Sequence, residues 1–269
     1  MKSGTTSLYK YLSKYPQVRT SSPKETNFFL EENERCDEGW YRNCFEGDVD
    51  ARAYGEFCPQ YTKHPKFSGV PERMHELLPE VKLIYLVRDP IERAISQYVH
   101  MWAVEGLDNS IDEVLQPVGK SHYLNTSRYY YQITQYLEHY SREDILIIQS
   151  EQLRKRREEV LKKVFRFIGV DPAYEDEAFK EEHNTSSKKI RKGTIMALLT
   201  ESALGRVFLN AGKQLVPRGG IEWAKEALST DAQKPTLSKA VRLKAQEYLR
   251  EDVEQLRAFT GKEFREWSV

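Results

Sequence analysis

The chain has 269 residues, long enough to bury a substantial core in one large α/β domain. Its 41 basic and 41 acidic side chains cancel, which argues against a protein that coats a polyanion such as nucleic acid. No apolar run reaches the roughly 18 residues that a membrane-spanning helix needs, and the polar first residues predict no signal peptide.

The first element in the chain is a short, hydroxyl-rich loop that runs into a helix. After Lys2-Ser3-Gly4-Thr5-Thr6-Ser7, apolar residues at i, i+3, i+4 and i+7 predict one buried helix face that ends before Pro16. Amides at a helix start, a flexible glycine and a lysine are typical of a cradle for phosphate or sulfate. The loop is not a Walker A motif, which needs its lysine directly after the second glycine. Taken alone, it fits an ordinary helix capped by Ser or Thr equally well.

Two apolar runs, 82–87 and 144–149, predict buried parallel strands. Helices are predicted over 71–78, from Pro90 onward, over 129–140, from a Ser150 cap to Gly169, and over 237–259. This alternation predicts an α/β fold, a P-loop-like three-layer sandwich whose central, mostly parallel sheet is flanked by helices. A phosphate loop normally follows a buried strand, and only Met1 precedes it here. We therefore expect the first strand to be missing from the sequence.

Arg88 directly follows the first predicted strand, at the sheet edge where α/β proteins place ligands. Ser96 lies on the second turn of the next helix. An arginine fork and a hydroxyl can together bind one phosphate through charge-assisted hydrogen bonds. The alternative is that Arg88 forms a surface ion pair at the end of the sheet.

These motifs together resemble the sulfotransferase family that uses 3′-phosphoadenosine 5′-phosphosulfate (PAPS). The opening loop is similar to its 5′-phosphosulfate loop, and Leu86-Val87-Arg88-Asp89-Pro90, with Arg93, Ser96 and Tyr98, to its 3′-phosphate motif. Lys24-Glu25-Thr26-Asn27-Phe28-Phe29 resembles the K-E-x-x-F-F segment of the carbohydrate, heparan-sulfate-type branch. Further similar segments follow in the family's order and extend the resemblance over residues 1–170: Gly55-Glu56-x-x-Pro59-x-Tyr61, Ser127-x-Tyr129-x-x-Gln132 and Ser150-Glu151-x-Leu153.

The resemblance implies in-line transfer of a sulfuryl group from PAPS to an acceptor hydroxyl of a carbohydrate or small natural product, without a metal. Glu25 would be the general base, and Lys2 would stabilise the leaving oxygen. Glu56 would contact the acceptor or be structural. The implied cofactor-binding residues are Lys2, Ser3, Gly4, Thr5, Thr6, Ser7, Arg88, Ser96, Ser187, Lys188 and Arg191.

The resemblance also implies one sulfotransferase domain over 1–269, with a helical part over 170–269 that carries a nucleotide-covering loop. Cys36, Cys44 and Cys58 lack C-x-x-C spacing and favour reduced thiols, although a Cys36–Cys44 bridge stays open. No cysteine follows Cys58, where Golgi-type members carry a disulfide, so we expect a cytoplasmic, bacterial-type enzyme. Neither the acceptor nor the oligomeric state follows from the sequence.

Two other functions fit part of the pattern. A P-loop nucleotide kinase would need the Gly-Lys-Ser/Thr order and a strand-end Asp for magnesium. A non-catalytic nucleotide-binding module would keep Arg88 and Ser96 and have no use for Glu25. For Glu25 itself, the alternative is a solvated ion pair with Lys24.

Overall fold

The computed structural model describes residues 2–31, 37–47, 51–181 and 235–269. Within these ranges the α-helices are α1 (Thr5–Leu12), α2 (Glu38–Asn43), α3 (Val70–Leu77), α4 (Pro90–Glu105), α5 (Ile111–Val114), α6 (His122–Asn125), α7 (Tyr129–Leu137), α8 (Ser150–Lys155), α9 (Arg157–Ile168) and α10 (Lys239–Thr260). The strands are β1 (Val18–Thr20), β2 (Ala53–Gly55), β3 (Leu83–Val87) and β4 (Ile145–Gln149). Of the described helices, none has both the length and the apolar character needed to cross a bilayer.

The described strands form two parallel pairs. β1 pairs with β2, with Val18 opposite Ala53. β3 pairs with β4 along their whole length, from Leu83 opposite Ile145 to Val87 opposite Gln149. Helices separate the paired strands in the chain, as the predicted α/β fold requires.

A cleft of about 900 Å³ lies between the two strand pairs. Its lining includes Ala53–Gly55 of β2, Leu83–Leu86 of β3, and Leu8 and Leu12 of α1. The first three residues of β3 are therefore only half-buried, although their apolar run predicted a fully buried strand. β4 is buried at all five positions, as predicted. The strand expected before the opening loop is not tested by the described residues.

The helices predicted around these strands are present, with two differences. The helix predicted after β4 is interrupted at Arg156, whose backbone is not helical (φ −133°, ψ 49°). Residues 154–157 are all basic, and mutual repulsion of like charges disfavours a continuous helix there. Ser150 is the first helical residue, and its side chain does not cap the helix. Gly169 ends α9 at φ 78°, as predicted.

Two apolar clusters fix the carboxyl ends of β3 and β4. One joins α1, β3, β4 and α9 through Leu8, Leu86, Ile148 and Leu161. The other joins β3, α7, α10 and the C-terminal residues; its members include Val87, Tyr129, Val253 and Trp267. The edge at which both strands end is therefore held from both faces of the sheet.

Candidate active site

The opening loop presents a row of backbone amides at the start of α1. Lys2 and Gly4 have positive φ angles of 65° and 93°, and the helical hydrogen bonds begin with Ser7 N and Leu8 N donating to Gly4 O. The N–H groups of Ser3–Thr6 donate no hydrogen bond within the described residues. No side chain caps the helix. The loop therefore has the open amides of an anion cradle and lacks the side-chain bond of an ordinary capped helix.

The loop lies against the carboxyl ends of the central strands. A Cβ atom on Gly4 would lie 3.7 Å from the side chains of Leu86 and Leu153 and 3.8 Å from that of Ser150. Ser3 is only 1% exposed. Its Oγ lies near the Tyr129 hydroxyl and makes no hydrogen bond of good geometry among the described residues. A buried hydroxyl that lacks a hydrogen-bond partner can form a hydrogen bond to a ligand.

The corner after β3 is held rigidly through its backbone. The Arg88 N–H donates to the Tyr129 hydroxyl at 3.2 Å, and the Asp89 N–H donates to Glu151 Oε1 at 3.2 Å. Asp89 Oδ1 accepts from the amides of Ile91 at 3.0 Å and Glu92 at 2.9 Å, which caps α4. Contacts with α7, α8 and the start of α4 thus fix the backbone from which the Arg88 side chain extends.

The Arg88 guanidinium forms no ion pair or hydrogen bond with the described residues. The surface ion pair that was the alternative for Arg88 is therefore not formed within the described part of the chain. Ser96, half-buried on α4, also has a hydroxyl without a partner in the described part of the chain. One strand–helix unit thus carries a free guanidinium and a free hydroxyl, which suit a phosphate.

Glu25 lies in a segment that is tied to the stretch after β2. Thr26 Oγ1 is hydrogen-bonded to Glu56 and, at 3.2 Å, to the Tyr61 hydroxyl. Cys58 Sγ donates to Asn27 Oδ1 at 3.0 Å. The Glu25 side chain is 41% exposed, and Lys24 Nζ lies 2.9 Å from its Oε1. The ion pair with Lys24, which was the alternative for Glu25, is thus present, and the carboxylate stays open to solvent. The role of Glu25 as a base stays a prediction.

The Glu25 segment also reaches the opening helix. Lys24 Nζ lies 6.0 Å from the centroid of the Tyr9 ring, and Tyr9 belongs to α1. Phe28 stacks on Tyr41 at 4.5 Å between ring centroids, and Phe29 is buried. The segment is therefore anchored on both sides of Glu25.

Glu56 is held inside the protein by hydroxyl groups. Its carboxylate accepts from Thr26 and, at 3.3 Å, from Tyr41. Burial raises the pKa of Glu56, while hydrogen bonds from Thr26, Tyr61 and Tyr41 oppose that shift. These contacts support a structural role, in which Glu56 fixes Thr26 beside Glu25. Contact of Glu56 with an acceptor stays a prediction.

Residues 1–257 match the family described as Sulfotransferase domain. The chain belongs to this sulfotransferase family. The domain is 25% identical, over 85% of the chain, to the bifunctional heparan sulfate N-deacetylase/N-sulfotransferase of Drosophila melanogaster. It is 36% identical, over 36% of the chain, to the human heparan sulfate glucosamine 3-O-sulfotransferase 6. The matched region covers 27% of each of these relatives, so the chain spans about a quarter of their length.

A solved structure shares the fold of the sulfotransferase domain. The sulfotransferase of Alicyclobacillus acidocaldarius superposes with a TM-score of 0.69 at 21% identity. The likeness covers all of this chain and 95% of the other. The predicted α/β, P-loop-like fold is thereby confirmed.

The structure assigns new roles to two residues of the predicted motifs. Arg93 is 1% exposed, and it donates from Nε to Ser127 Oγ and from Nη1 to Gln97 Oε1, both at 2.6 Å. Ser127 Oγ in turn donates to Pro90 O at 2.7 Å. Ser127 therefore supports the start of α4. The position of Arg93 within the 3′-phosphate motif was the signal for its importance, and its burial was not foreseen.

Some predicted site residues lie outside the described ranges. Ser187, Lys188 and Arg191 of the expected nucleotide-covering loop are among them. Cys36, and with it the Cys36–Cys44 bridge that the sequence left open, also lies outside the described residues. Within the ranges that are described, no three His, Cys, Asp or Glu side chains cluster closely enough to hold a metal ion. The 900 Å³ cleft reaches two predicted site residues, Thr5 and Glu56, but its lining includes neither Lys2, Arg88, Ser96 nor Glu25.

Proposed function

We propose that the domain transfers the sulfuryl group of PAPS, the sulfate donor of the family, to a hydroxyl of a carbohydrate acceptor. Two separate sets of unpaired anion donors at one sheet edge carry this proposal: the open amides of Ser3–Thr6 and the guanidinium of Arg88. A nucleotide with a charged group at both its 5′ and its 3′ position needs two such sets. The heparan sulfate enzymes among the relatives support a carbohydrate as the acceptor class.

The described donors fit PAPS at both ends. Lys2 and the amides and hydroxyls of Ser3–Ser7 would hold the 5′-phosphosulfate, because a helix start concentrates N–H donors and positive potential. Arg88 and Ser96 would hold the 3′-phosphate. Ser187, Lys188 and Arg191 would cover the nucleotide. PAPS, when bound, supplies the activated sulfuryl group.

Two side chains would provide the proton transfer and the stabilisation of the leaving oxygen. Glu25 would accept the proton of the acceptor hydroxyl at its exposed carboxylate, as a general base. Lys2 would stabilise the negative charge that develops on the oxygen from which the sulfuryl group departs. Glu56 would act through Thr26, by keeping the Glu25 segment in place.

The decisive experiment is transfer from radiolabelled PAPS to a panel of glycans and phenols, with Glu25→Gln as the test variant. We expect the wild type to sulfate a glycan and Glu25→Gln to lower turnover by about 10²-fold or more, since a positioned general base contributes about that much. The affinity for adenosine 3′,5′-bisphosphate (PAP), measured by calorimetry, should stay within about twofold, as expected when only the chemical step loses an interaction.

Glu38→Gln is the matched control, because Glu38 is an exposed glutamate that also forms an ion pair, with Arg42, outside the site. It should leave both turnover and PAP affinity unchanged. Full activity of Glu25→Gln would show that another group is the base. A wild type that binds PAP no better than ATP would refute the sulfotransferase proposal as a whole.

A further inference from the structure

Glu151 has one carboxylate oxygen that is hydrogen-bonded and one that is not. It lies in the first turn of α8, and its Oε1 accepts from the Asp89 N–H at 3.2 Å. Its Oε2 is buried and accepts no hydrogen bond within the described residues. A buried acceptor without a partner is costly, because it has given up its bonds to water. Glu151 therefore has an unmet need for one further donor.

The side chain of Glu151 lies where the corner after β3 meets the opening loop. On one side, its Oε1 holds the N–H of Asp89 in that corner. On the other side, α8 contacts the loop, because a Cβ on Gly4 would lie 3.8 Å from Ser150 and 3.7 Å from Leu153. Ser150 and Leu153 flank Glu151 in α8. One carboxylate thus adjoins both of the structures that the proposed function assigns to the two ends of the nucleotide.

The opening loop carries an unpaired donor next to Gly4, the hydroxyl of Ser3. Ser3 is buried, and its Oγ also lacks a hydrogen-bond partner in the described part of the chain. Ser3 Oγ lies beside the Tyr129 hydroxyl, which accepts from the Arg88 N–H at 3.2 Å. Glu151 accepts from the next N–H along the backbone, and consecutive residues are only about 3.8 Å apart. The unpaired hydroxyl and the unpaired carboxylate oxygen therefore lie at the same corner.

Trp267 Nε1 is another unpaired donor near this corner, and its direction is fixed. The indole ring stacks on Phe264 with centroids 4.2 Å apart and lies 5.7 Å from the Tyr129 ring. Packing against both rings sets where its N–H points, whereas a serine hydroxyl rotates to suit its acceptor. Ser3 is therefore the donor that a small movement of the loop would bring to Glu151.

We propose that Glu151 is a positioning residue for the sulfate donor, whose Oε2 accepts a hydrogen bond from Ser3 Oγ when the nucleotide binds. An anion on the loop amides would draw the loop onto the sheet edge and close this bond. The bond would tie the loop to the corner after β3, so that the amides and the Arg88 guanidinium keep the separation that one nucleotide requires. This inference rests on the proposed function, because it takes the nucleotide as the anion.

A double-mutant cycle on PAP affinity, measured by calorimetry, tests the coupling of Ser3 and Glu151. We expect Ser3→Ala to weaken PAP binding about tenfold, the equivalent of one hydrogen bond to a charged group. In a Glu151→Ala background the same change should weaken it less than about twofold, because the acceptor is already absent. Urea unfolding without nucleotide should show additive effects, since the two side chains are not hydrogen-bonded there. A purely structural role of Glu151 would produce no coupling that depends on nucleotide.

Glu151→Gln, which keeps an acceptor for the Asp89 N–H, takes the place of Glu151→Ala if that variant does not fold. In the Gln background the effect of Ser3→Ala should fall to about threefold, since a neutral hydrogen bond is weaker than a charge-assisted one. Glu266→Gln is the matched control, because Glu266 is an exposed carboxylate that also contacts α8, through Lys155 at 2.7 Å. The effect of Ser3→Ala should be unchanged in it.

Equal effects of Ser3→Ala with and without the Glu151 carboxylate overturn the inference, and so does coupling of the same size in the absence of nucleotide. If the wild type binds PAP and sulfates a glycan but shows no coupling, the proposed function stands and the inference fails. If the coupling is found but no sulfuryl transfer, the inference stands and the proposed function fails. A wild type that does not bind PAP overturns both.

Discussion

At the scale of single residues, the site differs from the rest of the protein in which polar groups have partners. Glu56 and Arg93 are enclosed and hydrogen-bonded, so they support their neighbours. The side chains of Arg88 and Ser96 have no partner among the described residues, although the backbone of each belongs to a fixed element. Ser3, at the same sheet edge, has a buried hydroxyl without a partner among the described residues. Folded proteins satisfy most polar groups that they bury, so this hydroxyl indicates where a ligand would supply the missing bond.

Replacing Arg88 by Ala should weaken PAP binding by about 10- to 100-fold, the usual range for a charge-assisted hydrogen bond to phosphate. Binding of AMP, which lacks the 3′-phosphate, should hardly change. Calorimetric titration with both nucleotides measures this difference. Arg154→Ala, which removes an exposed arginine of α8, serves as the control and should affect neither ligand. An equal loss of affinity for PAP and for AMP would mean that Arg88 does not bind the 3′-phosphate.

At the scale of elements, α10 supplies the N-terminal cap that α7 lacks. The residue before α7, Arg128, makes no side-chain cap. Instead Asp252 of α10 accepts from Tyr130 N at 3.1 Å and from Tyr131 N at 2.9 Å. Because Tyr129 of α7 also accepts from the Arg88 N–H, this contact between distant segments helps to position the corner after β3.

The carboxyl of Asp252 should make stability depend on pH. Burial raises its pKa to about 6, from an ordinary value of 3.8. A raised carboxyl pKa means that the folded state binds the proton more tightly, so this contribution is fully present below about pH 4 and is lost as pH rises through 6. We expect the free energy of unfolding of the wild type, relative to Asp252→Asn, to fall by about 2–3 kcal/mol between pH 4 and pH 7.

Urea unfolding of both proteins across this pH range measures the difference. Asp252→Ala, which removes both acceptor oxygens, should be less stable than Asp252→Asn by about 1 kcal/mol at pH 7. Parallel pH profiles for the wild type and Asp252→Asn would show that another group titrates in this range.

At the scale of the whole molecule, the last residues of the chain close against the corner after β3. Ser268 N donates to Asp89 Oδ2 at 2.5 Å, so residues 179 positions apart meet. Trp267 is buried, stacks on Phe264 with ring centroids 4.2 Å apart, and lies 5.7 Å from the Tyr129 ring. The corner after β3, which carries Arg88, thus depends on packing by residues 264–268.

Trp267→Ala should lower the free energy of unfolding by about 3 kcal/mol or more, because truncating a buried aromatic leaves a cavity. Its Nε1 has no partner in the described structure, so the loss is one of packing. PAP affinity should fall as well, since Tyr129 holds the Arg88 backbone. Chemical denaturation and calorimetry measure the two effects. Trp40→Ala, at a tryptophan that is 36% exposed, should cost less than about 1 kcal/mol; equal losses would contradict this account.

The sequence predicted the local structure well where one segment suffices to define it. The spacing of Leu8, Tyr11 and Leu12 identified α1 and its buried face, and the apolar run before Arg88 identified β3. Prediction was wrong where distant segments decide the outcome. β3 is half-exposed at its start because the cleft lies beside it, which its own run of apolar residues could not show.

The order of motifs along the chain determined by itself the family, the fold class and the candidate residues, because the steric and hydrogen-bonding needs of a helix start or a strand end are local. Tertiary structure alone decided which charged groups stay unpaired. Arg88 and Arg93 belong to the same predicted motif, yet Arg93 meets Ser127 and Gln97 while the side chain of Arg88 meets no acceptor among the described residues. Partners for a buried charge come from segments far away in the chain, so no local pattern records whether a charge is satisfied or left free for a ligand.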